Sequence, residues 1–311
     1  MTHATIRFRS GTDDCDAWHF AAADDSLATD AGRPIAVMAH GLAGTKDSGL
    51  EAFALGLSAA GLDVLVFDYR GFGASGGEPR QTVSVDAQLE DYRSAMRTAA
   101  ALPGVDASRL VLWGESLSGG TVLRAAAGRA DVAAVVSMVP LVDGFAAGRH
   151  AVRSVPLPAI ARASALGIAG SLGALAGRRP PMIPVVGRPG EVAALSLPGY
   201  YEDYHAIAGP TWRNELAATI VTELGPGYRP ARAIRGLRAP WLVQIADFDR
   251  SAPPHSAAKA AFRGRAEVRH YPCDHFDTQP GKPWHEPAVA HQAAFLRRVL
   301  TTTGARARAN R

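Results

Sequence analysis

The stretch Arg109–Gly120, RLVLWGESLSGG, decides how the rest of the chain is read. Arg109 to Trp113 is a short apolar run of strand type and Thr121 to Ala127 reads as a helix, so Gly114 to Gly120 forms a sharp strand-to-helix turn. A serine at the apex of such a turn is held in a strained conformation that exposes its hydroxyl. Small residues two positions to either side let strand and helix approach each other. Gly114 and Ser118 fill those positions around Ser116, with Ser118 standing where glycine is usual and Gly119 following it. The same residues could serve merely as a helix cap, and Ser118 is a second hydroxyl. Centring the turn on Ser118, however, moves it into the helix and leaves Ser116 where a glycine is wanted. Ser116 is the expected nucleophile.

Outward from this turn, apolar runs too short for helices recur at Pro34 to His40, Asp63 to Tyr69, Val132 to Val139, Trp241 to Asp247 and Val268 to Tyr271, each followed by a turn signal. They read as buried parallel strands. Helical patterns lie between them, clearest after Ser84, where Val85, Leu89, Tyr92 and Met96 make one apolar stripe. Alternation of this kind implies an α/β sheet flanked by helices. Ala4 to Arg9 and Ala17 to Ala22 suit an antiparallel hairpin at its edge. The alternation breaks between Leu141 and Leu237, where Pro156, Pro158, Arg178, Arg179, Pro180, Pro181 and Pro189 accumulate. The expected organisation is a core of residues 1–141 and 238–303, an inserted cap of residues 142–237, and a disordered basic tail at 304–311.

A serine nucleophile needs a base, and the base needs a carboxylate that fixes its tautomer, in the chain order Ser, Asp, His. Asp249 lies just past the strand ending near Ala246, on a loop stiffened by Pro253 and Pro254, and is the expected acid; Asp247 and Asp143 are alternatives. After the last strand come Asp274, His275, Phe276 and Asp277, and His275 is the expected base. His255 and His270 fall in a helix and a strand, and His285 and His291 in the final helical region. The Asp274, His275, Asp277 cluster has no second spaced His or Cys pair to make it a metal site. Two N–H donors should face the developing oxyanion: Leu117, next to the serine, and Leu42, in the loop His40-Gly-Leu-Ala-Gly44. His40 itself is read as a loop brace. No cofactor is expected. Gly71 to Gly76 matches G-x-G-x-x-G after a strand, but Gly77, Glu78 and Pro79 follow where a phosphate-binding helix would have to start.

The 311 residues, 47% hydrophobic and 20% charged, describe a globular protein and exclude collagen, coiled coil and disorder. Net charge is +4, but its basic residues are scattered arginines without interleaved aromatics, so no nucleic-acid partner is expected. Cys15 and Cys273 are too few for a disulfide framework and are expected as reduced thiols, with a structural part for Cys273. The N-terminus shows no apolar stretch of the signal-peptide kind, giving a cytoplasmic expectation. The uncharged run Ala163 to Gly177, between Arg162 and Arg178, is short for a spanning helix and is read as a covering helix, with no membrane partner. A homodimer through the cap is compatible with its apolar content.

Four segments, Ala39–Asp47 (AHGLAGTKD), Asp68–Arg80 (DYRGFGASGGEPR), Gly114–Gly120 (GESLSGG) and Asp274–Asp277 (DHFD), together resemble the oxyanion loop, post-strand turn, nucleophile elbow and histidine loop of the α/β-hydrolase superfamily. Gly44–Asp47, Val139–Pro140 and Tyr228–Pro230 are similar to bacterial esterases, dienelactone-hydrolase-like and X-Pro-peptidase-like enzymes, and to polyketide-pathway hydrolases and acyltransferases. The resemblance implies an eight-stranded, mostly parallel sheet with a lid between its sixth and seventh strands.

The expected activity is cofactor-independent serine hydrolysis of an ester, thioester or lactone with a mainly hydrophobic, small-molecule acyl group. Ile160, Leu166, Ile168, Leu172, Leu175, Met182, Ile183, Val185, Val186 and Trp212 supply the cap's apolar side chains. Acyl transfer or cyclisation in secondary metabolism would use the same residues. A noncatalytic binding protein on this fold has no need of all three groups, and a serine at position 116 argues against dehalogenase or epoxide-opening chemistry.

Overall fold

A computed structural model describes residues 3–309. Its main sheet has eight strands: β1 Ala4–Ser10, β2 Asp13–Phe20, β3 Arg33–Ala39, β4 Asp63–Phe67, β5 Val105–Glu115, β6 Val132–Met138, β9 Trp241–Ala246 and β10 Glu267–Tyr271. Their spatial order is β1-β2-β4-β3-β5-β6-β9-β10, with every pair parallel from β4 to β10. Only β1 and β2 run antiparallel to their neighbours. The edge hairpin starts its second strand earlier than the alternation suggested. Gly11, at φ 54, closes the turn, and Arg9 and Arg7 stand across from Asp14 and Asp16, which lets aspartates occupy strand positions.

Burial on both faces explains the continuous apolar strands. Along β3, Ile35, Val37 and Ala39 join the apolar cluster with α2 (Val85–Ala100), α3 (Ser116–Ala126) and α8 (Pro254–Gly264). Ala36 and Met38 face α1 (Leu50–Ala59) and α9 (His285–Ala309). This sandwich is the α/β-hydrolase architecture, and parallel strands of this kind deliver their C-terminal ends to one edge. The helix α9 is described through Ala309, which takes in most of the segment read as a tail. The alanines and arginines there are good helix formers continuing an established helix. Residues 310–311 lie outside the described residues.

Between β6 and β9 the chain adds no strand to the main sheet. It forms α4 (Gly144–Ser154), α5 (Leu157–Leu175), a two-residue pair of β7 (Met182–Ile183) with β8 (Leu216–Ala217), α6 (Tyr200–Ile207) and α7 (Ile220–Glu223). The helix α5 begins at Leu157, before the uncharged run, because Pro156 and Pro158 sit at its N-terminus, where a missing N–H costs nothing. Among the described residues it alone is long and apolar enough to cross a membrane. By Tyr228 the chain is back on the sheet body: Tyr228 Oη donates to Leu117 O (3.2 Å), and Gly128 N–H donates to Gly236 O (2.8 Å).

Candidate functional site

The strand β5 ends at Glu115 and α3 begins at Ser116, which takes φ 50, the left-handed strain expected of the turn. Two close approaches favour glycine. A Cβ at Gly114 would lie 2.4 Å from Ser118 O, and one at Gly41 would lie 3.1 Å from Ser116 Cβ. Position 118 tolerates serine because its hydroxyl is used. It donates to His40 O and lies 2.8 Å from Tyr69 Oη, fully buried, so it ties the loop after β3 to α3 and its hydroxyl is occupied there.

His275 opens a short 3-10 turn, His275–Thr278, held by reciprocal capping between Asp274 and Asp277. Its Nε2 lies 3.1 Å from Ser116 Oγ and its Nδ1 2.7 Å from Asp249 Oδ2. The other oxygen of Asp249 accepts N–H groups from Ser251 (2.8 Å) and Ala252 (2.7 Å). Serine, histidine and acid thus meet from the ends of β5, β10 and β9, with Asp249 and His275 buried. The two alternative acids are engaged elsewhere. Asp247 is exposed and pairs with His270 (2.6 Å), while Asp143 caps α4 by accepting Ala146 N–H (3.1 Å). Burial, the largest influence on His275, favours its neutral form. The charge and hydrogen bond of Asp249, with Asp274 and Glu115 adding, outweigh it and raise the imidazole above its ordinary value.

Glu115 is a functional candidate that the sequence reading passed over. Its Oε2 accepts Gln279 Nε2–H (2.7 Å) and its Oε1 accepts Gly41 N–H (3.4 Å), so one buried carboxylate links the nucleophile turn, the loop after β3 and the histidine turn. Burial, as the dominant cause, raises its pKa, partly offset by Gln279, His275 and Gly41. Only its place directly before Ser116 hinted at this. Behind the serine, Glu115, Ser116, His275 and Gln279 line a recess of about 30 Å³, room for a water.

In front of the serine lies a chamber of about 550 Å³ whose wall is mostly apolar and includes Leu42 and Leu117. Residues Phe145, Val155, Ile160, Leu195, Leu197 and Leu224 of the inserted segment complete it. Of the ten apolar residues expected to supply the cap, only Ile160 lines this space. Ile183, Val185 and Val186 are core, whereas Ile168, Leu172, Leu175 and Met182 are exposed. Composition gave the residue types, but helix rotation decided which faced inward. Aromatic residues of the segment fasten it to the site: Tyr204 Oη donates to Leu42 O (2.8 Å) and Trp212 Nε1 to Ala43 O (3.1 Å). Tyr200 stacks beside His275 at 6.4 Å, and Arg250 Nε donates to Asp274 (2.6 Å).

The surrounding polar residues brace this arrangement. His40 is buried, donates Nδ1–H to Gly41 O (2.9 Å), and is held neutral chiefly by burial. Lys46 Nζ sits between Asp16 (2.8 Å) and Asp68 (2.7 Å), and the Gly71–Gly76 turn folds back on Asp68 through Ala74 N–H (3.0 Å) instead of opening a helix. Cys273 is buried, and burial pushes its thiol up to about 12, which makes it inert. Among the described residues no group of His, Cys, Asp and Glu is arranged to hold a metal.

Residues 31–167 match the serine aminopeptidase S33 family. The chain is 36% identical over 277 residues to the quorum-quenching protein AidA of Acinetobacter baumannii, covering 88% of each. It is 38% identical over 114 residues to the thiohydrolase aneE of Aspergillus aculeatus, 37% of this chain and 36% of that one. In three dimensions it superposes on the α/β hydrolase GrgF of Penicillium sp. with a TM-score of 0.77 at 22% identity, covering 97% of this chain and all of the other.

Proposed function

The chain belongs to the α/β-hydrolase superfamily and is an enzyme of the hydrolase or acyltransferase kind, and from that premise we propose that it cleaves an ester, thioester or lactone of a mainly apolar acyl group through an acyl-enzyme on Ser116. The observation that carries the reading is the continuous line from Ser116 Oγ to His275 (3.1 Å) and from His275 to Asp249 (2.7 Å). Ser116 Oγ attacks the carbonyl carbon while His275 Nε2 takes its proton. Asp249 holds the Nδ1–H tautomer and stabilises the imidazolium. Leu42 and Leu117 N–H groups receive the oxyanion, and His275 returns the proton to the leaving oxygen or sulfur as the carbonyl bond to it breaks. Water then attacks the ester on Ser116, with His275 as base, and the recess beside Glu115 offers it a place next to both residues.

The apolar chamber supports a hydrophobic acyl group of moderate size. Acyl transfer to an alcohol, amine or thiol is the second reading. It is favoured by partial matches to proteins named as polyketide transferases, among them grgF at 34% identity over 110 residues. The test is labelling with a fluorophosphonate, followed by an ester, thioester and lactone panel with and without acyl acceptors. We expect an adduct on Ser116, lost in Ser116→Ala together with about a millionfold of the turnover. A folded protein that takes no label at Ser116 overturns the reading.

A further inference from the structure

Beside the acyl chamber lies a second cavity of about 470 Å³, between α4 and α8. Its wall carries Arg149, His150 and Arg153 from α4 and His255, Lys259 and Arg263 from α8. Arg149 and Arg153 are one helical turn apart, and His255, Lys259 and Arg263 follow at successive four-residue steps, so two basic stripes face one space. The lone carboxylate there, Asp143, is committed to capping α4. Several arginines and lysines elsewhere are matched, as Arg70 with Asp91, Arg124 with Asp86 and Lys282 with Asp203. Among the described residues Arg149, Arg153, Lys259 and Arg263 have no carboxylate partner.

Local stability does not explain this concentration. Arg153 and Arg263 lie in last helical turns, where the helix dipole favours a cation, but Arg149 and Lys259 lie in helix interiors, where it does not. Like charges at four-residue spacing also repel along each helix. The cavity is concave and small, which suits a compact polyanion, and guanidinium forks match phosphate oxygens. Phe145 and Arg149 line both this cleft and the chamber that holds Ser116, so the two spaces are neighbours across those side chains.

We propose that the α4–α8 cleft binds the phosphate groups of an acyl thioester whose thiol is carried on a nucleotide diphosphate, the chemistry of coenzyme A. The proposal rests on the acyl-enzyme reading for the step itself. The bond from Ser116 Oγ to the acyl carbon forms, the carbon–sulfur bond breaks, and His275 passes the serine proton to the departing thiolate. No other reactant is required before water.

The experiment separates binding from chemistry. Free coenzyme A is titrated calorimetrically into Ser116→Ala protein at low and high salt, and into the same protein carrying Lys259→Glu and Arg263→Glu. Binding should weaken about tenfold in the charge-reversed protein and fall with salt. With Ser116 intact, the preference for a coenzyme A thioester over the N-acetylcysteamine thioester of the same acyl group should also drop about tenfold. Lys259→Gln with Arg263→Gln should be intermediate, with an unchanged melting temperature as the folding check. Absence of coenzyme A binding, or a preference that the substitutions leave unmoved, overturns the proposal, as does selective turnover of the thioester on an acidic carrier protein alone. If coenzyme A binds but Ser116 takes no acyl group, the acyl-enzyme reading fails while the cleft assignment stands.

Discussion

The floor and the roof of the apolar chamber are built on opposite principles. On the floor, Ser116, His275 and Asp249 stand at the ends of three neighbouring or near-neighbouring strands, and each is fixed by buried hydrogen bonds to backbone or side chain. In the roof, α4 and α5 bury few residues: Gly144 alone in α4, and Ala159, Gly167 and Gly170 in α5. Phe145, Val152, Leu157, Ile168, Leu172 and Leu175 stay exposed. Chemistry needs groups held to a fraction of an ångström, which sheet register supplies. Acyl selection needs only apolar area of the right shape, which loosely packed helices supply.

That contrast predicts steep losses on the floor and shallow ones in the roof. Asp249→Asn should lower turnover of an activated ester about ten-thousandfold, because the imidazole loses its tautomer and its counter-charge. Asp247→Asn, at the exposed His270 pair, should stay within about twofold. Equal activity of Asp249→Asn and Asp247→Asn in steady-state assays would remove Asp249 from the site.

A smaller effect should appear at Glu115. His275 must be neutral to act as base, so kcat/KM falls as pH drops through its pKa, which Asp249 and its neighbours raise above the ordinary imidazole value. Glu115 is one of the negative charges that raise it; Glu115→Gln should therefore move the acid limb of the pH profile to lower pH, in the same direction as Asp249→Asn but less. The peak kcat/KM should fall less than in Asp249→Asn, since Gln279 and Gly41 keep an amide partner. A limb that does not move would reduce Glu115 to a packing role.

The least effect belongs to the roof. Ile160→Ala removes methyl and methylene area from the chamber wall, and should weaken long acyl chains by about fourfold for each methylene left unburied. Acetyl esters should be turned over as before. A chain-length series of nitrophenyl esters reads this directly, and an equal loss for acetyl and long chains would show that α5 supports the floor after all.

Much of the floor was legible in the sequence because its signals are local. The turn around Ser116 follows a strand and precedes a helix, and His275 and Asp249 sit just past strand ends, so chain order and position were enough to single them out. Glu115, Gln279, Tyr200 and Arg250 were not legible, since each acts through a partner far along the chain: Glu115 with Gln279 and Tyr200 with His275. Ser118 was visible only as a departure from glycine. The bond of its hydroxyl to His40 O, across the loop after β3, supplies the reason.

The roof was legible only in outline. Proline and arginine accumulation marked where strand alternation stops, and its apolar content was plain. Which apolar residues face the chamber depends on how α4 and α5 lie on the body. By itself, then, the sequence determined the strand order's alternation, the nucleophile turn and the candidate base and acid, because backbone geometry and short-range periodicity impose them. Tertiary structure alone decided that Ile160 faces the apolar chamber while Leu172 faces solvent, and that Glu115 reaches Gln279. It also set the cations of α4 and α8 around one cleft. Those relations depend on distances between segments that no local pattern encodes.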